Sequence, residues 1–227
     1  MRDSDKLLCV DLICHGVPSQ KVWKKYVDFR ENRAGAPARR TFSRHKKYGW
    51  KRFALLFEFS NNKAYQQIFS EDLFMQAFLR NVCIRPSCHA CPFKKLNRVS
   101  DITIADFWGI ENVAPDMDDD KGTSLVLIHS KKGEQAFAGL SGKMCAKPVD
   151  TVAALAGNSA MTQAVPPHKD RERFFAHVDD VPFDKLVRRY ARPGEAEVIK
   201  QYLKNMLKAV GILPAVKCIL KRVRRSH

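Results

Sequence analysis

Residues 83–109 read CIRPSCHACPFKKLNRVSDITIADFWG, a cysteine-rich loop followed by a short apolar run that ends in Asp-Phe-Trp-Gly. Cys83, Cys88 and Cys91 are spaced C-x4-C-x2-C, and the loop has few apolar side chains with which to fold itself. Metal–thiolate bonds would hold such a loop in place. The spacing fits either a zinc site or an iron–sulfur cluster, and free structural thiols are the alternative.

The length and composition of the chain indicate an ordinary globular protein. Its 227 residues, 45% hydrophobic and 28% charged, correspond to one large domain or two small ones. The opening is charged, and no apolar run approaches the roughly 18 residues of a membrane-spanning helix, so the sequence predicts a cytoplasmic protein without a secretory signal. Seven cysteines in a reducing compartment favour metal binding or redox chemistry over disulfide bonds.

The formal net charge of +16 is concentrated towards the C-terminal end. Residues 185–227 contain 12 Lys and Arg against two Glu. Pro193-Gly194 marks a helix break, so the pattern predicts a basic amphipathic helical tail at residues 193–227, after a domain at residues 1–192. Packing on its own domain, peripheral contact with a membrane surface and binding of an acidic partner are the alternatives for this tail.

The apolar pattern predicts a mixed α/β fold, with a central mixed sheet flanked by helices and a mainly helical C-terminal third. Strands are predicted at 7–13, 53–59, 64–69, 101–104 and 125–128. Helices are predicted from Ser19 to about Phe29 and at 72–81, 131–140, 168–177, 182–191, 195–209 and 212–225. The run LLCVDLI at 7–13 is nearly continuous, which is typical of a strand buried on both faces.

Two further groups of residues follow predicted strands. Cys14 comes directly after the first strand and is followed by turn residues, so its thiolate is expected to point outward. Asp106 and Trp108 come at the end of the strand that follows the cysteine loop, where ligands commonly bind in sheet-based folds. The basic run at 44–47 is either a contact for a cofactor phosphate or a solvated hairpin edge.

Several segments resemble the C-terminal domain of the coenzyme F420 hydrogenase/dehydrogenase beta-subunit family. The most specific are DLICHGVPS (11–19), FLRNVCIRPSCHACPFK (78–94) and SDITIADFWG (100–109), and the resemblance continues through KGTSLVLIHSKKG (121–133) and NSAMTQAVPPHKDRERFF (158–175). The resemblance implies a flavin-linked iron–sulfur oxidoreductase. It also implies that the usual N-terminal portion is missing here. Ala105 stands where the family commonly has Gly.

The resemblance implies a 4Fe–4S cluster held by Cys14, Cys88 and Cys91. The predicted fourth ligand is Cys83, although a cysteine in the missing upstream portion is an alternative and Cys83 would then be a buried small hydrophobe. Four further residues are predicted to contact the cluster or a bound FAD: His15, Lys94, Asp106 and Trp108.

Electron transfer between a ferredoxin or ferredoxin-like module and a flavin or deazaflavin is therefore the predicted function, and other oxidoreductase subunits are candidate partners. No specific nucleic-acid partner is expected, because no recognised nucleic-acid-binding signature is present. Two rival hypotheses remain open at this point. One is a structural zinc protein with a basic nucleic-acid-binding tail, and the other is an inactive truncated remnant of the family.

Overall fold

The computed structural model describes residues 6–192 together with Leu203 and Met206. The chain divides into two compact units, Met1–Tyr190 and Ala191–His227, and the helices and strands named below lie in the first. The tail predicted at 193–227, with its two helices, falls outside the described residues apart from Leu203 and Met206. Within the described residues, no helix has the length and apolarity needed to cross a membrane.

The predicted mixed α/β class is confirmed. The strands are β1 (Val10–Leu12), β2 (Ala38–His45), β3 (Ala54–Phe59), β4 (Ala64–Ile68), β5 (Ile102–Asp106) and β6 (Ser124–Ile128). The helices are α1 (Gln20–Ala34), α2 (Leu73–Leu79), α3 (Pro86–His89), α4 (Lys131–Ala138), α5 (Thr151–Leu155), α6 (Arg171–Ala176) and α7 (Phe183–Tyr190). Short 3-10 turns lie at Ile110–Asn112, Pro115–Met117 and Ser159–Met161.

The described strands form two three-stranded sheets, where the sequence predicted one central sheet. The first sheet has the order β1-β5-β6: β1 runs parallel to β5, and β6 runs antiparallel to it. The second has the order β2-β3-β4 and is antiparallel throughout. Alternation in a sequence shows which face of a strand is apolar but not which strand is its neighbour, and this explains the difference.

The second sheet follows from local sequence. Ala54, Leu55 and Phe57 in β3 are fully buried, so β3 is the central strand of a hydrophobic face. The predicted turn at Asn61-Asn62 joins β3 to β4, and Asn62 adopts φ 63°. Asparagine tolerates this left-handed backbone better than most residues. The hairpin is therefore encoded by its turn as well as by its apolar face.

A buried polar network ties α1 to the second sheet and to α2. Arg30 of α1 and Asp72 form an ion pair of 3.5 Å, with side chains only 8% and 0% exposed. Asp72 also caps α2 by accepting a hydrogen bond from the Met75 backbone N–H at 2.9 Å, and it accepts hydrogen bonds from the hydroxyls of Tyr26 and Tyr65. Burial raises the pKa of both tyrosines. The network keeps a charged pair satisfied within an aromatic core.

β1 is shorter and more exposed than predicted. Val10 and Leu12 are 52% and 58% exposed, so the expectation of a strand buried on both faces is wrong for the described part of the chain. Among the described strands, β1 pairs only with β5 and is therefore an edge strand. The apolar side chains of an edge strand need a covering layer to become buried, and the two described sheets do not supply one here.

Candidate functional site at the carboxyl edge of β1 and β5

Parallel pairing brings two predicted site segments to one edge of the first sheet. Leu12 lies opposite Ile104, and the backbone N–H of Ile13 donates to the Ile104 carbonyl at 3.0 Å. Cys14 and Asp106 each come two residues after this pair, so both lie where the two strands end. The carboxyl ends of parallel strands are common ligand sites. We call this end of the sheet, where Cys14 follows β1 and Asp106 ends β5, the carboxyl edge.

The cysteine loop, residues 83–98, docks beside the segment that follows Cys14. Pro18 and Ile84 form an antiparallel bridge. The Ser19 N–H donates to the Cys83 carbonyl at 2.8 Å, and the Arg85 N–H donates to the Val17 carbonyl at 2.9 Å. The structure therefore brings the predicted strand end and the predicted loop together, although they are separated by about 70 residues in the sequence.

Cys88 contacts the segment after Cys14 directly. Its Sγ accepts a hydrogen bond from the Val17 N–H at 3.3 Å. Gly16 permits this approach, because a Cβ added there would lie 3.0 Å from Ile84 Cγ2 and 3.7 Å from Cys88 Cβ. Cys14, Cys88 and Cys91 are all half-buried. Half-buried thiols are accessible for metal binding, in contrast to thiols enclosed in a core.

Cys83 lies in a different environment from the other three cysteines. It is fully buried, and burial raises the pKa of its thiol to about 12. Metal ligation requires the thiolate, which burial disfavours. In this structure the Cys83 side chain therefore has the surroundings of a small hydrophobic residue.

Two basic residues fasten the cysteine loop to β1. Lys94 Nζ donates to the Cys14 carbonyl. Arg98, whose side chain is 6% exposed, pairs with Asp11 at 2.8 Å and also donates to the Leu12 carbonyl at 3.4 Å. Burial alone would raise the pKa of Asp11, but hydrogen bonds from Arg98 and Thr103 and the Arg98 charge outweigh it, so that pKa is lowered. The Arg98 charge is thus balanced by Asp11 of β1, and Lys94 supplies a positive charge beside the Cys14 backbone.

His15 is held within the protein. Its Nε2 is 2.9 Å from Asn81 Oδ1, and its ring meets the edge of the Phe78 ring at 5.1 Å between centroids. Burial, together with the nearby Lys94 charge, lowers the pKa of His15 below its usual value. The imidazole is therefore neutral at pH 7 and anchors the turn that follows Cys14.

Asp106 and Trp108 contact the β2–β3 hairpin. Asp106 forms a 2.6 Å ion pair with Arg44, with both side chains about 40% exposed. Trp108 stacks on the buried Trp50 at 4.3 Å between ring centroids and an interplanar angle of 29°. The basic run at 44–47 thus supplies Arg44 to the carboxyl edge. The contact of Trp50 with Trp108 was not predicted, because the residues around Trp50 form no recognisable motif.

Sequence reasoning also missed the role of residues 157–171, which we call the strap. The strap contacts Trp108 through Gly157, and it contacts the cysteine loop at three points. Met161 Sδ lies 3.6 Å from an Arg98 nitrogen, the Val165 carbonyl lies 2.8 Å from His89 Nδ1, and Arg171 donates to the Ile84 carbonyl at 2.9 Å. The only available signal was the resemblance of 158–175 to the family, which carries no positional information.

The cysteine thiols of the site can be compared with what a 4Fe–4S cluster requires of its ligands. Three half-buried thiols, with Lys94 at the Cys14 carbonyl, fit the chemistry of an anionic iron–sulfur centre, while Cys83, the predicted fourth ligand, is fully buried. Within residues 6–192, no three side chains of His, Cys, Asp or Glu are already arranged around a metal position. The four-cysteine ligand set therefore stays a prediction, as do the roles assigned to His15, Lys94, Asp106 and Trp108.

Comparison with known proteins places these segments in a family. No curated protein and no solved structure gave a significant match to the chain. The sequence model of one family, which describes the C terminus of the coenzyme F420 hydrogenase/dehydrogenase beta subunit, matches residues 2–151. The matched range contains β1, the cysteine loop and β5, which together build the carboxyl edge, and it ends before the strap. The chain therefore belongs to the coenzyme F420 hydrogenase/dehydrogenase beta-subunit family, a family of redox proteins.

Proposed function

We propose that this chain is an electron-transferring part of a flavin-linked oxidoreductase and that it carries a 4Fe–4S cluster. The observation that carries the proposal is the convergence of Cys14 with the loop bearing Cys88 and Cys91, in a chain of a redox family. These three cysteines serve as cluster ligands. When bound, the cluster supplies a one-electron relay.

Cys83, the predicted fourth ligand, is fully buried, so ligation by Cys83 would require this side chain to leave the core. Binding also requires the half-buried thiols to move closer together, since they do not yet surround a metal position. Metal binding commonly drives local rearrangement of this kind.

The chain's own residues prepare the carboxyl edge for negative charge. Lys94, which reaches the Cys14 carbonyl, would stabilise an anionic centre and favour its reduction, because nearby positive charge raises a reduction potential. Neutral His15 fixes the turn after Cys14, so the Cys14 thiol keeps its position. The half-exposed indole of Trp108 offers a stacking surface for FAD at the same edge. A ferredoxin-like module is the proposed electron donor.

Anaerobic purification with measurement of iron, acid-labile sulfide and absorbance at about 400 nm tests the cluster. We expect stoichiometric iron and sulfide in the native chain and a loss of both in the Cys88→Ser variant. Cys145→Ser is the matched control, because Cys145 is an exposed cysteine outside the site. A colourless protein with one bound zinc would refute the redox function and favour a structural metal site.

FAD binding is tested separately. Titration of FAD into the chain should quench tryptophan fluorescence, and Trp108→Leu should remove most of the quenching. Trp23, a residue of α1 that packs against Phe74 of α2, provides the control substitution Trp23→Phe. Equal quenching in the native chain and in Trp108→Leu would refute the assignment of Trp108 to the flavin.

A further inference from the structure

One face of the first sheet is built from aliphatic side chains, most of which are exposed. The pairing register places six aliphatic residues in two rows across the three strands, Val10, Ile102 and Ile128 in one and Leu12, Ile104 and Val126 in the next. Because successive side chains of a strand point to opposite faces, all six lie on the same face, which we call the apolar face. Thr103, between the two rows in β5, points to the opposite face and is fully buried.

Helix α4 covers only part of the apolar face. An added Cβ on Gly133 of α4 would lie 3.1 Å from a side-chain carbon of Ile102, and Ile102 is only 8% exposed. The neighbouring positions Val10, Leu12 and Ile104 are 52%, 58% and 43% exposed. β5 is the central strand of its sheet, where aliphatic side chains are ordinarily buried. The exposure of Ile104 therefore shows that this part of the face has no covering layer within the described chain.

The exposed part of the apolar face has the size of the apolar core of a protein interface. Its half-exposed aliphatic residues are Leu8, Val10, Leu12, Ile104 and Ile128. Together they present on the order of 450 Å² of apolar surface. A stable interface buries about 800 Å² on each partner, of which a little more than half is apolar. The face therefore provides the apolar area that one interface of standard size requires.

The charges around the apolar face favour a protein partner over an anionic membrane. The charged residues that line the groove over this face are two carboxylates and two ammonium groups, Asp116, Asp119, Lys121 and Lys147. Lys147 pairs with Asp116 at 2.7 Å, and Lys121 pairs with Asp119 at 3.4 Å. The groove therefore has no net positive charge, whereas surfaces that bind anionic lipids carry clustered Lys and Arg.

A second copy of the chain fits both the area and the charges. An isologous interface joins the same patch of two copies, so the patch has to be complementary to itself. The two aliphatic rows contain no charge that would repel its own counterpart, and two sheets with apolar inner faces pack about 10 Å apart.

We propose that two copies of this chain form a dimer in which their apolar faces pack against each other. Because Leu12 comes two residues before Cys14, the interface borders the carboxyl edge. The proposal does not depend on the cluster assignment given above, because it uses no metal ligand.

The test is the mass of the full chain in solution, measured by sedimentation equilibrium over a range of concentrations. A reducing agent prevents the exposed Cys145 from forming a disulfide between copies. We expect a concentration-dependent rise from 25.9 kDa to twice that mass. Leu12→Glu places a charge in the interface and should raise the Kd of the dimer at least about a hundredfold. Leu79→Glu is the matched control, because Leu79 is 42% exposed on α2, and its Kd should equal that of the native chain.

A pair of opposite charges distinguishes a lost interface from a misfolded variant. Ile104 lies on the central strand, so its two copies come close together across a twofold axis. Ile104→Glu and Ile104→Lys should each be monomeric, whereas an equimolar mixture of the two should associate at least about tenfold more tightly than either variant alone. Misfolded variants would not recover on mixing. A mixture that associates no more tightly than its components would overturn the face-to-face arrangement.

Three other outcomes also overturn the proposal. The first is a native chain that stays at 25.9 kDa up to about 100 μM. The second is a dimer whose Kd is unchanged by Leu12→Glu, which would place the interface elsewhere. The third is a monomer that cosediments with vesicles of phosphatidylcholine and phosphatidylserine and loses this binding in Leu12→Glu, which would make the apolar face a membrane-binding surface.

Discussion

Cys83 provides a quantitative test of how the cysteine loop is built. Its thiol pKa of about 12 compares with an ordinary value of 9.0. At pH 8 about one thiol in ten is ionised at the ordinary value, against about one in ten thousand at the raised value. Because the thiolate is the reactive form, alkylation of Cys83 should be slower by roughly a factor of a thousand.

The assay uses iron-free protein, so that a bound metal does not protect any cysteine. Iodoacetamide labelling is followed by peptide mass spectrometry, and the rate at Cys83 in the native protein is compared with the rate at the same residue in urea. Cys145, which is exposed, checks that the reagent remains active. From pH 8 to pH 10 the native rate should keep rising about tenfold per unit, whereas an ordinary thiol levels off above its pKa. Native labelling within tenfold of the unfolded rate at pH 8 would refute the burial argument.

Three further predictions concern stability. Asp72→Asn leaves Arg30 buried without its counter-charge and should lower the free energy of unfolding, measured in urea, by about 3–5 kcal/mol. Asp179→Asn, which breaks the exposed pair between Asp179 and Lys21, should change it by less than about 1 kcal/mol. Equal effects of the two variants would contradict the buried network. Gly157→Ala places a Cβ against the Trp108 carbonyl and should lower the free energy of unfolding by about 1–3 kcal/mol. Gly139→Ala, where the atom nearest to the new Cβ is 3.4 Å away, should leave it nearly unchanged. The reverse order would show that the strap does not pack as described. Arg44→Met removes the half-exposed ion pair between Arg44 and Asp106 and should change the free energy of unfolding by no more than about 1 kcal/mol, as measured by thermal unfolding. A larger loss would mean that the hairpin depends on Arg44.

Local patterns in the sequence predicted most helices and strands. The alternation in β3, the turn at Asn62 and the cap at Asp72 all encode their structure within a few residues. The short helices α3 and α5 were missed because four or five residues carry no helical period. The division into two sheets was missed because pairing depends on contacts between distant segments.

The candidate site was only partly predictable for the same reason. Cys14, Cys88 and Cys91 were identifiable from their spacing and resemblance, but their approach depends on the parallel pairing of β1 with β5 and on the Pro18–Ile84 bridge. The burial of Cys83 depends on how the end of α2 packs, which the spacing does not encode. The contacts of the strap with the cysteine loop were not predicted, because they join segments that are 63 to 87 residues apart in the sequence.

The stacked pair Trp50–Trp108 joins the hairpin of one sheet to the strand end of the other. Two indoles whose ring centroids lie 4.3 Å apart interact electronically when they absorb light, so the circular dichroism of the pair depends on the distance and angle between the rings. A change of a few ångströms in the hairpin would alter the circular dichroism of this pair without any added label. The circular dichroism of the pair therefore reports, without an added label, on the distance between the hairpin of one sheet and the strand end of the other.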